Sequence, residues 1–301
     1  MKLPNFLIIG AAKSGTTALY AYLKQHPQIF MSPFKEPRFF AFQDNPPRFQ
    51  GPRDQTNAIN NKTITSIDKY LDLFKGVTTE IAIGEASPAY IHVPGTAERI
   101  QRLIPNVKLI AILRHPAERA FSSFLHLKRE GYEPLDFGQA LIEESNRTSK
   151  NWEFLWQYKG LGFYYEQLNQ YYRVFDQTQI RVYLYDDLQE NPENLMRDIF
   201  EFLNVDSSFV PDTTKKINTS GIPKSKKLKE FLGKPDYVKS LLKPFFPKKL
   251  RKNLVYYLQQ KNLQRPSISL DQRTHLTREY HADILKLQGL IKRDLSHWLE
   301  C

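Results

Sequence analysis

Four runs of strand length constrain the fold of this chain more than any other feature. Phe6-Leu7-Ile8-Ile9, Ile81-Ala82-Ile83, Val107 to Leu113 and Ile180 to Tyr185 are almost continuously apolar or aromatic instead of alternating. That pattern belongs to strands covered on both faces, as in a parallel sheet. Between and after them, Thr16 to Gln25, Thr96 to Leu103, Ala117 to Arg129, Tyr165 to Phe175, Glu193 to Leu203 and 273–299 carry helical, amphipathic spacing. Strand and helix patterns in alternation predict an α/β fold, a parallel central sheet flanked by helices. With 301 residues, 41% of them hydrophobic, there is ample material for a core. The expected organisation is one domain over 1–301. It has a long surface loop at about 41–69 between the first and second runs, a variable loop at about 130–160 and a basic segment at 224–265.

Composition narrows the function. Cys301 is the only cysteine, so a disulfide framework and cysteine-ligated zinc or iron–sulfur sites are excluded. No apolar stretch approaches the ~20 residues of a membrane span, and the run Phe6 to Gly10 is too short for a signal-peptide core. The expectation is a cytoplasmic protein without membrane insertion. The net charge of +11 favours anionic partners. Eleven Lys or Arg fall between Lys224 and Lys252, but no aromatic–basic repeat or DNA-reading helix accompanies them, so nucleic acid is not the expected partner.

The first run leads into Gly10-Ala11-Ala12-Lys13-Ser14-Gly15-Thr16-Thr17 and then a helix. Free backbone N–H groups and the helix dipole converge at such a junction and favour a phosphate. Gly10 and Gly15 keep the spacing of an ATPase phosphate loop, yet Thr16 stands where that loop needs lysine and the lysine lies at 13. A P-loop kinase is the rival this weakens. The third run ends in Leu113-Arg114-His115-Pro116 and opens a helix that carries Ser122. An arginine at the end of a strand and a hydroxyl eight residues on are placed to grip a second phosphate.

Together these motifs resemble the sulfotransferases that use 3′-phosphoadenosine 5′-phosphosulfate (PAPS). Lys13 to Thr17 is similar to their 5′-phosphosulfate loop, and Arg114 with Ser122 to their 3′-phosphate motif. Lys35-Glu36-Pro37-Arg38-Phe39-Phe40 resembles the segment bearing the catalytic glutamate of heparan-sulfate-type and bacterial small-molecule members. Gly84 to Tyr90, Gly162 to Leu168 and Asp294 to Leu299 also resemble family segments, so the resemblance spans roughly 5–299. It implies the P-loop-like sulfotransferase fold, PAPS as co-substrate with 3′-phosphoadenosine 5′-phosphate (PAP) as product, and no metal requirement. Where glycosaminoglycan enzymes often place lysine after the Gly84-Glu85 pair, this chain has Ala86.

The resemblance assigns Lys13 to the 5′-phosphate and bridging oxygen, with Ser14, Gly15, Thr16 and Thr17 around it, and Arg114 and Ser122 to the 3′-phosphate. Glu36 is the expected general base, kept ionised beside Lys35 and Arg38. His92 and His126 are the alternatives, because imidazole serves the same chemistry. Tyr164 and Tyr165 suit either stacking on adenine or a place in the core. Ser220, Gly221 and Lys224 lie in a segment that resembles a loop closing over the nucleotide. The acceptor is expected to be a small intracellular molecule, such as a natural product, offering a hydroxyl or amine; a carbohydrate or glycolipid is the second reading. Glu143, Glu144, Glu153 and Glu166 would suit a cationic acceptor. Oligomeric state is not legible.

Overall fold

A computed structural model of the chain describes residues 2–52, 59–214, 221–225, 258, 261–264 and 266–300. Five strands, β1 (Phe6–Gly10), β2 (Ile29–Met31), β3 (Ala82–Ala86), β4 (Lys108–Leu113) and β5 (Ile180–Leu184), form one sheet. Their order is β2-β3-β1-β4-β5, with every neighbouring pair parallel. The expected α/β architecture is therefore present. Alternate residues of each strand feed two different cores. Phe6, Ile8, Ile110 and Ile112 pack with helices α1 (Thr16–Leu23) and α10 (Pro192–Leu203). Leu7, Ile9, Leu109, Ala111 and Leu113 pack on the other side with α5 (Thr96–Leu103), α6 (Pro116–Glu130), α8 (Tyr164–Tyr172) and α11 (Leu270–Ile291). Burial on both faces is why the strands read as unbroken apolar runs.

Two expectations change. The segment at 41–69 does not join the first and second strands, because the three-residue edge strand β2 comes before it, and it contains α3 (Ile59–Lys62) and α4 (Ile67–Asp72) after the short α2 (Phe39–Phe42). The stretch at 130–160 is not a plain loop, since the 13-residue helix α7 (Phe137–Ser149) lies within it. Asp136 caps that helix and Gln139 reaches back to complete a capping box. Its buried face carries Glu144 and Arg147, so hydrophobic periodicity could not reveal it. Arg147 is paired with Glu133, which also accepts the Tyr158 hydroxyl. Glu144 accepts the N–H groups of Lys159 and Gly160. Buried charge is tolerated here because each carboxylate is fully engaged.

Helix α9 (Tyr185–Glu190) follows β5 directly. A two-stranded antiparallel pair, β6 (Ile222–Pro223) and β7 (Leu263–Gln264), brackets the basic segment. Most of that segment, including Lys226 to Lys252 and Ser220 before it, lies outside the described residues.

Candidate active site

The strands β1, β3 and β4 end on one side of the sheet, and a cavity of about 700 Å³ opens there. This is where an open α/β sheet places its ligand, beside a strand whose two neighbours are reached in opposite directions. Lys13, Gly15, Thr16 and Thr17 line it from the end of β1, Arg114 and Ser122 from β4 and α6, and Glu36 and Arg38 from the turn after β2. Residues separated by about a hundred positions in sequence thus face one space.

At the β1–α1 junction, Lys13 has φ 70° and Gly15 φ 106°. A side chain at Gly15 would be strained by that φ and would also meet Leu188 Cδ2 at 2.9 Å. The N–H groups of Thr16 and Thr17, in the first turn of α1, have no partner within the helix by its geometry and lie on the cavity wall. Ser14 is fully buried beneath the loop, against the Tyr164 phenol. The junction therefore offers a lysine and a ring of backbone donors to an anion.

Across the cavity, α6 begins at His115, whose Nδ1 accepts from Ala117 N (3.2 Å) while its Nε2 faces the Trp298 carbonyl (3.0 Å). Burial lowers this imidazole to a pKa of about 4. A neutral ring with the proton on Nε2 satisfies both contacts and fixes the start of the helix. Arg114, just before it, lies over the Tyr185 ring at 4.8 Å and reaches Glu118 at 3.5 Å. Its carbonyl accepts the Tyr164 hydroxyl at 2.9 Å. Ser122 is buried on the cavity side of α6, and His126 follows one turn later on the same wall.

The third wall is a turn held in an unusual conformation. Glu36 has φ 61° and Arg38 φ 56°. With Lys13 they make up half of the six non-glycine residues with positive φ among the described residues, and all three line the cavity. Such backbone persists only where the surroundings over-determine it. Lys35 and Arg38 each donate to one oxygen of Glu36. Burial would raise the Glu36 carboxyl, but the two cations and their hydrogen bonds outweigh it and bring the pKa to about 2.

Other expected residues lie elsewhere. His92 is not on the cavity wall; its ring packs on Phe154 at 4.6 Å, and burial followed by the charge of Arg119 pushes its pKa down to about 3. Tyr164 has no exposed ring face and supports Arg114 from beneath. Tyr165 packs against Lys286 and is also off the wall. The N–H groups of both tyrosines are capped by Asp283. Gly221 is buried and Lys224 exposed, its N–H donating to the Asn262 carbonyl at 2.7 Å; neither lines the cavity, and Ser220 lies outside the described residues. Glu143 bonds Asn146 and Glu144 caps the 159–160 turn, so of the four candidate acids only Glu153 lines the cavity. The sequence reading missed Tyr185, Leu188 and Gln189, which form the wall beside Gly15 and Arg114. Their position at the end of β5 was the available signal.

The chain matches the sulfotransferase family over residues 4–209. It belongs to the sulfotransferase family. It is 37% identical over 147 residues to the membrane-associated sulfotransferase kil1 of Dictyostelium discoideum, covering 47% of this chain and 28% of that one. It is 29% identical over 221 residues to the human bifunctional heparan sulfate N-deacetylase/N-sulfotransferase 3, covering 68% of this chain and 22% of that protein. The chain thus spans about a quarter of the length of these curated relatives. The crystal structure of a sulfotransferase from Alicyclobacillus acidocaldarius superposes over 100% of both chains with a TM-score of 0.80 at 35% identity.

Proposed function

We propose that this sulfotransferase-family chain moves a sulfuryl group from PAPS to a hydroxyl or amine of a small-molecule acceptor, with Glu36 as general base. One observation carries the reading: a phosphate loop, an arginine–serine pair and a recessed carboxylate, each from a different strand exit, face a single cavity. PAPS supplies the sulfuryl group and a phosphate leaving group. Lys13 and the N–H groups of Gly15, Thr16 and Thr17 receive the charge that develops on that phosphate, as a metal ion does in kinases. Arg114 and Ser122 hold the 3′-phosphate, and the Tyr185 ring beneath the guanidinium keeps it facing the cavity.

Glu36 accepts the acceptor's O–H or N–H proton as the new bond to sulfur forms. The bond from sulfur to the 5′-phosphate oxygen breaks, its electron pair stays on PAP, and the proton leaves Glu36 for solvent. A carboxylate with pKa about 2 is ionised but weakly basic. When the anionic donor draws Lys35 and Arg38 toward its own oxygens, Glu36 loses its two partners and becomes a stronger base. Base strength is in this way coupled to donor binding. His126 is the histidine on the wall and the other candidate base there, and its Nδ1 accepts from Arg129 at 3.1 Å.

The cavity is also lined by Phe121, Leu125, Phe154, Leu155 and Pro266. Apolar walls together with Ala86 in place of a lysine support a compact acceptor with an apolar body over a polyanionic glycan. Thermal-shift titration tests the donor. PAP at a hundred times its Kd should stabilise the fold by ~2.7 kcal/mol, while adenosine 5′-monophosphate and magnesium ATP give smaller shifts. A preference for magnesium ATP would favour the kinase alternative instead.

A further inference from the structure

Behind Glu36 lies a second carboxyl, on β3, that the transfer itself does not touch. Glu85 is wholly buried. Its Oε1 accepts the hydroxyls of Tyr90 (2.6 Å) and Tyr70 (3.3 Å), and its Oε2 accepts that of Ser87 (2.8 Å). Two of these hydroxyls also serve the turn that carries the base. Ser87 Oγ accepts the N–H of Arg38 at 3.0 Å, and Tyr90 Oη accepts that of Phe40 at 3.5 Å. The Glu36 N–H donates to the carbonyl of Ala86, the residue between Glu85 and Ser87. The side chain of Phe39 stacks on Tyr70 at 4.4 Å.

A hydroxyl has one hydrogen and can point it either way, whereas an ionised carboxylate only accepts. Glu85 therefore sets the direction of the network. Its two oxygens take the hydroxyl hydrogens inward, and the lone pairs of Ser87 and Tyr90 are left facing the backbone N–H groups of Arg38 and Phe40. Those two bonds pin a turn whose residues 36 and 38 both have positive φ. Local conformational preference would not keep it there.

We infer that Glu85 is a positioning residue for the sulfuryl transfer proposed above, holding the Glu36 carboxylate and the Arg38 guanidinium at the cavity through Ser87 and Tyr90. The inference rests on that reading of the site. Protonating Glu85 would place a hydrogen where three hydroxyls already point theirs, so at least one of them must turn, and where that one is Ser87 or Tyr90 its bond to the turn is disturbed. The groups facing Glu85 are Tyr70 from α4, Ser87 and Tyr90 from the segment after β3, and Glu36 with its partners Lys35 and Arg38. Burial raises Glu85 to about 7, Glu36 adds repulsion, and the three hydroxyls oppose both.

Amide hydrogen exchange of the 36–42 segment, PAP binding by calorimetry, and PAPS consumption followed as PAP release with 2-naphthol or water as acceptor, compared in wild type, Glu85→Gln and Ser87→Ala, test this. The exchange measurement needs no acceptor, and Ser87→Ala leaves Glu85 in place should Glu85→Gln fold poorly. Glu85→Gln should exchange the amides of Arg38 and Phe40, and Ser87→Ala that of Arg38, at least ~10-fold faster; both should keep PAP affinity within ~2-fold and lose ~10-fold or more in kcat with KM for PAPS nearly unchanged. Wild type should lose kcat on acidification through about pH 7, and Glu85→Gln should lack that limb. Variants with wild-type exchange and rate overturn the inference, as does a parallel loss of PAP binding and turnover, which marks a merely structural residue. A wild-type protein that neither binds PAP nor consumes PAPS overturns instead the reading on which the inference rests.

Discussion

The two halves of the cavity are built in different ways. On the phosphate side, Lys13 to Thr17 and Arg114 to Ser122 are each a strand end running straight into a helix. The donors proposed there are backbone groups, the Lys13 ammonium, the Arg114 guanidinium and the Ser122 hydroxyl, positioned by elements that the sheet fixes. On the side of the base, Lys35, Glu36 and Arg38 sit on an irregular turn between β2 and α2. That turn is held by side chains of β3 and the segment after it, Glu85, Ser87 and Tyr90, about fifty residues on. A phosphate is a constant ligand and tolerates a rigid, locally encoded cradle. The proposed base has to be aimed at an acceptor and, on the reading above, exchange its ion pairs when donor binds, which fits its dependence on a second layer.

Separating the halves by mutation should produce unequal effects. The largest is expected from Glu36→Gln, which removes the base while leaving the cradle alone. Turnover should fall by roughly 10²–10⁴ with PAP affinity nearly retained; if turnover survives there and is lost in His126→Ala, the base is the histidine on α6. Arg114→Ala attacks the other half. Losing a charge-assisted pair of bonds to a phosphate should weaken PAP binding by ~10–100-fold in calorimetry, and an unchanged affinity would remove the 3′-phosphate assignment.

Smaller effects sharpen the contrast. Gly15→Ala puts a methyl group at φ 106° against Leu188, so a loss of about 1–2 kcal/mol in denaturant unfolding is expected together with weaker PAP binding. The smallest is a dependence of stability on pH. Glu85 in the folded protein titrates at about 7, above its ordinary 4.5. The fold thus binds that proton more tightly than the unfolded chain does, and the stability this contributes is complete below about 4.5 and lost as pH rises through about 7. Glu36, lowered to about 2, runs the opposite way, its contribution present above 4.5 and lost as pH falls through about 2. Between pH 5 and 8 the Tm of wild type should therefore fall more steeply than that of Glu85→Gln, and parallel curves would show that Glu85 keeps an ordinary carboxyl pKa.

How much was legible followed the same division. The runs at Phe6 and Val107 were readable as strands because both faces of each are buried, and the loops after them were readable as phosphate sites because the strand, the turn glycine and the helix start adjoin in sequence. Strand β2 has three residues and too little pattern to stand out. Helix α7 hid behind Glu144 and Arg147, charged residues on a buried face whose partners at Glu133 and 159–160 no periodicity can reveal. Tyr164 and Tyr165 lie in the motif that suggested adenine stacking, yet it is Tyr185, at the start of α9 after β5, that lines the cavity.

By itself the sequence determined the parallel sheet, the positions of the two strand exits proposed to bind phosphate and the presence of Glu36 between two cations. The two strand exits and the Glu36 segment each follow from residues within a dozen positions of one another, and the sheet from runs that are each of strand length, so spacing and chemistry act directly. Only the tertiary structure decided that Glu36 and Arg38 face the same cavity as Lys13 and Arg114, that His92 and Tyr164 belong to the core, and that Glu85 anchors the turn of the base. Those outcomes depend on which strand lies beside which, and the order β2-β3-β1-β4-β5 is set by the packing of whole faces.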